Sequence, residues 1–521
     1  MRDQLFHLEA HSGATLQTQL RQMLVAAIRE GQLPPGSALP SCRKLADTLA
    51  VARNTVALAY QDLVEEGLLI SRQRSGYFVS QEIDPSRLDP APAGSGASGR
   101  QPDWLVRLRR RPSTQRNTVK PRNWQDYKYP FIYGQFDPAL FPIAAWRECS
   151  RQALSLPAVR EWASDSFTDD DPQLIEQIRT LLLPRRGVFV GPEEILLTVG
   201  AQHAIYLLSS LLVDERTVVG MEDPGYADAR NIFLLHTSRL IGLPVDDQGM
   251  MDSEALGGCN YVNVTPSHQF PTTVTMSLAR RQALLDRAER QDFVFIEDDY
   301  EAEINHTGRP TPALKSLDHN GRVIYVGSLS KTLAPGLRIG YLVAAKELIV
   351  EARALRRLML RHPPANNQRT TALFLSRGHY DSLLRREGQS LKQRWAAMQA
   401  ALSRHLTTCR FKPTAGGTAF WIEGPSQLDA RLLEKNAAEA GIVIETGDVH
   451  FLADTGPRNF FRLGFSSIAL ERIEPGIKLL AQVIDRQLVG VPVAGVPVAG
   501  VPVAGVSKKP DLALPRAKRA R

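Results

Sequence analysis

Two folded bodies of unequal size are predicted for this chain: a small winged helix-turn-helix at the N-terminus, and a larger α/β domain extended by a smaller α+β lobe. Three observations predict them. Residues 1–80 carry three helical patterns followed by two short apolar runs around a basic tip. From Tyr129 to about residue 375, β-rich runs alternate with helical patterns, as in a sheet covered on both faces. Between them the composition shifts to proline, glycine, serine and arginine. A length of 521 residues exceeds one ordinary domain and suffices for a large core beside a small module.

In the first body, Leu16, Leu20, Leu24, Ala27 and Ile28 fall on one helical face, with Gly31 as a stop. Pro40-Ser41 opens a short helix carrying Arg43, Leu45 and Leu49. A tight Val51-Ala52 connection leads to a third helix, from about Arg53 to Glu66, with Val56, Tyr60, Leu63 and Val64 inward. Leu68–Ile70 and Tyr77–Val79 flank Arg72-Gln73-Arg74-Ser75-Gly76 as a hairpin, the wing. Arg43, Lys44, Arg53, Asn54 and Thr55 gather at two helix starts, and Arg72 and Arg74 sit on the wing. This arrangement suits a helix in the major groove with arginines on phosphates.

Residues 81–128 read as a flexible basic linker, containing Pro85, Pro90 and the stretch Ala91–Gly99. The second body spans 129–488. Its expected strands include Ile195–Val199, Val218–Met221, Tyr261–Val264, Val294–Ile296, Val323–Val326 and Ile339–Val343. Gln389–Leu406, Phe420–Ile422, Leu428–Ala440 and Phe461–Gly464 suggest the smaller lobe. Residues 489–521 hold Val-Pro-Val-Ala-Gly three times and a basic end. Proline and glycine every five residues forbid helix and central strand, so a disordered tail is expected.

The net charge of +8 is unevenly placed. Nine Arg/Lys against two acids occupy 100–128, and six against one occupy 507–521, whereas residues 1–80 carry only about +1. Charge alone therefore does not mark the first body as a DNA reader; its motif does. Cys42, Cys149, Cys259 and Cys409 lie far apart with no CxxC pair, so neither a disulfide framework nor a metal site is expected. Without a signal core or an expected membrane span, the reading is a soluble, cytoplasmic protein.

Within the second body, Lys331 stands in Ser328-Leu329-Ser330-Lys331-Thr332, seven residues before Arg338 and about thirty after Ile296-Glu297-Asp298-Asp299-Tyr300. A lysine so placed suits a Schiff base with pyridoxal 5'-phosphate (PLP). Asp298 would pair with the pyridine nitrogen and Tyr300 with the phenolic oxygen, while Ser328 and Arg338 would hold phosphate. Thr198-Val199-Gly200-Ala201-Gln202 ends a strand and starts a helix, so the amides of Ala201 and Gln202 offer an anion cradle. Tyr226, in Glu222-Asp223-Pro224-Gly225-Tyr226, could stack on the ring. Proximity to Arg338 is expected to lower the proton affinity of Lys331.

Leu33-Pro34-Pro35-Gly36 through Leu45-Ala46, with Arg53-Asn54-Thr55 and Glu65-Glu66-Gly67, resembles the GntR winged helix-turn-helix. The resemblance implies DNA contacts by Arg43, Arg53, Asn54, Thr55, Arg74 and Gly76. Ala52 departs from it, since a hydroxyl residue is common there as the helix cap. The second body resembles the fold-type I aminotransferases. With Thr265-Pro266-Ser267-His268-Gln269-Phe270-Pro271-Thr272 included, the whole resembles the MocR subgroup of GntR regulators.

That resemblance implies Lys331 for the aldimine and Arg462 for an effector carboxylate. It also implies a homodimer on paired operator repeats of double-stranded DNA, and an amino acid or amine effector sensed through aldimine exchange. Two departures bear on chemistry. Phe270 replaces an asparagine usual in aminotransferases, which disfavours sustained transamination. Asp228 stands where a relative sensing γ-aminobutyrate carries an arginine, which points to another effector. A working aminotransferase with an appended DNA module, and a plain repressor with an inert second domain, remain the competing readings.

Overall fold

The computed structural model describes residues 15–72, 75–81, 102–135, 137–165, 168–306, 311–413 and 415–490. The chain divides into two compact units, Met1–Arg109 and Arg110–Arg521.

In the first unit, helices Leu16–Arg29, Cys42–Leu49 and Arg53–Glu65 precede a hairpin of Leu69–Arg72 and Gly76–Val79. The periodicity of the helices is met by a core of Leu20, Leu24, Leu45, Val56, Tyr60 and Leu63, whereas Leu16 faces solvent. Ser41 caps the second helix by accepting from the Lys44 amide at 3.2 Å. Ala52 begins the third helix with no side-chain cap.

The second unit is built on an eight-stranded sheet. Its spatial order is Ile195–Thr198, Gly340–Val343, Val323–Ser328, Val294–Asp299, Tyr261–Val264, Val219–Asp223, Leu240–Asp246 and Gly249–Met250. The five strands from Val323–Ser328 to Leu240–Asp246 run parallel, and Gly340–Val343 and Gly249–Met250 run against them. Helices Ala201–Leu212, Ala227–Phe233 and Lys346–Leu360 cover one face, while Leu278–Gln291 and Ala365–Ser376 bury residues in separate apolar clusters. The strand Leu240–Asp246 escaped the sequence reading because Gly242 and Pro244 interrupt it and most of its residues are only half-buried.

The smaller lobe holds an antiparallel sheet of Arg410–Phe411, Ala419–Glu423, Phe460–Gly464 and Glu445–Thr446. Against it pack helices His379–His405, Ala430–Glu439 and Leu470–Val489. Tyr129–Pro130 pairs with Ile442–Val443, which ties the first strand of this unit to the lobe.

The reading of 81–128 as one flexible linker requires correction at its C-terminal end. Gln115 Nε2 donates to the Asn231 carbonyl at 3.0 Å, and Arg116 donates to the carbonyls of Phe451 and Leu452, both at 3.0 Å. Long cationic side chains here satisfy carbonyl groups instead of solvent. Ala91–Gly99, the pentapeptide repeat and the basic tail lie outside the described residues.

Candidate functional site

In the first unit, Arg43 and Lys44 occupy the first turn of one helix, and Arg53, Asn54 and Thr55 that of the next. Arg43, Lys44, Arg53 and Asn54 are exposed and Thr55 is half-buried. Among the described residues none of these cations enters an ion pair. Positive side chains at helix N-termini oppose the helix dipole, a cost that a phosphate would relieve. Gly76 starts the second wing strand with φ +97°, a conformation side chains resist. Arg74 lies outside the described residues.

In the second unit, the ends of the parallel strands open onto a cleft with about 650 Å³ of empty space, counting its mouth. Ala201, Gln202, Tyr226, Asp298, Tyr300, Ser328, Lys331 and Arg338 all line it. The residues that the sequence reading grouped are brought together by parallel strands, which deliver their C-terminal ends to one edge.

Strand alternation decides which of three consecutive acids faces the cleft. Glu297 accepts from the amides of Leu314 and Lys315 at 2.7 and 2.8 Å. Asp299 pairs with Arg186 at 2.8 Å and accepts from the Tyr325 hydroxyl at 2.8 Å. Burial alone would raise Asp299, but Arg186 and its hydrogen bonds hold it below the usual range. Asp298 points the other way, and its Oδ1 is buried with no hydrogen-bond partner among the described residues. Burial, then the Asp299 charge, pushes Asp298 up to about 7, with Lys331 opposing.

At one end of the cleft Gly200 and Arg338 approach closely. Gly200, with φ +83°, precedes the helix Ala201–Leu212, which has no side-chain cap. A Cβ there would meet the Arg338 guanidinium at 2.7 Å. Arg338 donates to the Val199 carbonyl at 2.9 Å, and Ser328 Oγ accepts from the Ser330 amide at 3.1 Å. An uncapped helix start beside an exposed guanidinium is an anion site in waiting.

Lys331 is pushed down to about 8, first by loss of hydration and then by Lys120 and Arg462, with Glu301 the leading opposing charge. The expected cause, Arg338, is therefore replaced by two other cations. Tyr300 and Tyr133 carry buried hydroxyls without hydrogen-bond partners among the described residues. Phe270 sits edge-on among Tyr226, Tyr300 and Tyr133, with ring centroids 5.2, 5.9 and 5.7 Å away.

Arg462 is fully buried. Its guanidinium carbon lies 3.5 Å from the Tyr133 ring centroid and 4.3 Å from that of Phe270, and among the described residues none of its nitrogens has a hydrogen-bond partner. Beside Phe270 lies His450, also buried with both ring nitrogens unpaired; burial and the Arg462 charge push it down to about 3, so it is neutral. Tyr133, Lys120 and His450 had escaped the sequence reading because no periodicity or spacing marks them. Asp228, read as disfavouring γ-aminobutyrate as effector, accepts from Asn117 and, at 3.1 Å, from the Tyr226 hydroxyl.

The two units match different families. Residues 16–79 match the family described as bacterial regulatory proteins, gntR family, and residues 142–478 match aminotransferase class I and II. The HTH-type transcriptional regulator TauR of Rhodobacter capsulatus is 40% identical over 480 residues, spanning 92% of this chain and 98% of that protein. A single relative thus covers both units. The chain belongs to the MocR-type GntR regulators.

Another relative in this MocR-type group, the probable rhizopine catabolism regulatory protein MocR of Rhizobium meliloti, is 32% identical over 400 residues, 77% of this chain and 79% of that one. Among solved structures, LysN, the α-aminoadipate aminotransferase of Thermus thermophilus, complexed with N-(5'-phosphopyridoxyl)-L-leucine, superposes with a TM-score of 0.66 at 27% identity. It covers 74% of this chain and 100% of its own. The aminotransferase fold of a MocR-type chain, with neighbours carrying phosphopyridoxyl groups, implies PLP as cofactor. Among the described residues no helix is long and apolar enough to cross a membrane.

Proposed function

We propose that this protein is a PLP-dependent transcription regulator that binds operator DNA as a homodimer and senses an amino acid or amine in its aminotransferase-like unit. The observation that carries the reading is the convergence of a strand-end carboxylate, a reactive lysine and an anion cradle in one cleft, on a chain that also bears a GntR winged helix. The unpaired polar groups fit the cofactor. Asp298 would face the pyridine nitrogen, Tyr300 the phenolic oxygen and Tyr226 the ring face. Ala201, Gln202, Ser328 and Arg338 would hold phosphate.

When bound, PLP supplies an aldehyde that condenses with primary amines and a ring that withdraws electrons. Lys331 would be the resident amine, displaced by an incoming one. Arg462 would take the anionic end of that molecule, because a buried guanidinium without acceptors lacks only an anion. The exposed cations Arg43, Lys44 and Arg53 at two helix starts support these residues as the DNA face, with Asn54 and Thr55 beside them and Arg74 and Gly76 assigned to it by the family resemblance. Phe270 disfavours sustained turnover, since its ring fills the space between Tyr226 and Tyr300 and has no hydrogen-bond donor.

The purified protein should be yellow, with a visible band lost in Lys331→Ala. Amino donors should shift that band once, without the steady keto-acid-dependent product formation of an aminotransferase. Continuous turnover, or a band that survives Lys331→Ala, would refute the reading.

A further inference from the structure

The stretch from Gln115 to Lys120 lies against the cofactor cleft as a strap. Arg230 and Asn231 each donate to the Arg116 carbonyl at 2.9 Å, and the Arg116 guanidinium pairs with Asp454 at 2.8 Å. Next along the strap, Asn117 donates to Asp228, the acid that also receives the Tyr226 hydroxyl. The strap ends on Lys120, which donates to the Tyr133 carbonyl and pairs with buried Glu445 at 3.3 Å.

Lys120 thereby comes beside the reactive amine. A Cβ on Gly134 would stand 2.6 Å from Lys331 Nζ and 3.7 Å from Lys120 Nζ, so the two amines flank one glycine. Around the adjacent Tyr133 ring three cationic groups gather: Arg462 at 3.5 Å, Lys331 at 4.5 Å and Lys120 at 5.5 Å from the centroid.

We infer that Lys120, carried by the stretch that follows the DNA-binding unit in sequence, is a positioning residue of the Lys331 site, holding a like charge against the reactive amine. This rests on the reading of Lys331 as the lysine that condenses with PLP. The groups facing Lys331 are Asp298 and Glu301 from the central strand and its continuation, Arg462 and Glu445 from the smaller lobe, and Lys120 from the strap. A neighbouring cation favours the neutral amine, and only that form has the lone pair needed to attack an aldehyde.

Removing Lys120 acts twice in one direction. The repelling charge is lost, and Glu445, released from its partner, pulls a proton onto Lys331 more strongly. Asp298 and Glu301 favour the ammonium throughout, so the balance rests on Arg462 and Lys120. Arg462 is enclosed in the lobe, whereas Lys120 belongs to the connecting stretch. The chemical readiness of Lys331 thus depends on the chain that leads in from the winged helix.

The test uses full-length protein stripped of cofactor, mixed with PLP between pH 6 and 10, with growth of the visible band as readout. Reaction of PLP with Nα-acetyl-lysine amide corrects for the ionisation of PLP itself. The wild-type rate should rise with pH through a midpoint near 8. In Lys120→Met the midpoint should move up by about half to one pH unit, slowing the reaction at pH 7 roughly three- to tenfold. Lys120→Arg keeps the charge and should keep the wild-type midpoint. An unchanged midpoint in Lys120→Met, or an equal shift in Lys120→Arg, would overturn the proposal. A band that persists in Lys331→Ala would overturn the lysine assignment beneath it.

Discussion

Replacing Arg462 with methionine should make the cofactor-free protein more stable and less able to sense its effector. Arg462 is fully buried and its guanidinium nitrogens meet no acceptor, so the folded state bears several kcal/mol of lost cation hydration. Stacking between Tyr133 and Phe270 returns about 2 kcal/mol. Methionine keeps much of the packing and removes the desolvated charge, so a net gain of about 1–4 kcal/mol is expected. In a unit of this size that is a rise of roughly 1–5 °C in the melting temperature. The same change removes the charged hydrogen bonds to the effector, about 2–4 kcal/mol, or roughly 30- to 1000-fold in affinity. Differential scanning calorimetry of the stripped protein gives the first quantity. Titration of the visible band of the PLP-loaded protein with a panel of α- and ω-amino acids gives the second. A destabilised Arg462→Met variant, or one that responds to the same amino acids at wild-type concentrations, would refute the reasoning.

Asp298→Asn should stabilise the cofactor-free protein at pH 8 and leave it unchanged near pH 3. The folded carboxyl titrates near 7, above its ordinary value of 3.8, so stability falls as pH rises between the two; urea midpoints across that range check this. In the same variant PLP should be retained less well, measured by dialysis. Arg53→Ala should cost about 1–3 kcal/mol on the operator with less effect on random DNA, whereas Lys44→Ala should weaken both alike, as read by fluorescence anisotropy. Ala52→Ser should add the cap that the helix Arg53–Glu65 lacks, raising the stability of the winged helix by about 1 kcal/mol in chemical denaturation.

Much of the fold was legible because local chemistry and final structure agree. Ser41 is a capping residue and caps, and Tyr261–Val264 is an apolar run that becomes a buried strand. The wing follows from two short apolar runs, whose register pairs Arg72 with Gly76. Where the signal was weak, the structure departed: Leu240–Asp246 is a strand despite its glycine and proline, and Gln115–Lys120 is bound where composition suggested freedom. The residues expected at the cofactor were read through motif spacing and all line one cleft, but Tyr133, His450 and Lys120 were not read, since each stands in a segment with no repeat, period or known phrase.

The amino-acid sequence by itself determined the two-part organisation, the winged helix, the sheet strands and the identity of the lysine, aspartate and arginine at the centre of the cleft. These follow from periodicity, capping and spacing, which are short-range properties of a chain. Only the tertiary structure decided the electrostatic partners: that Arg186 claims Asp299 and leaves Asp298 open to the cleft, that Arg462 is enclosed by rings with no anion, and that Lys120 rather than Arg338 stands against Lys331. Such pairings join residues up to more than two hundred positions apart. The energy of a charge depends on distance and on the water it has lost, and both are set only when the sheet and lobe have packed.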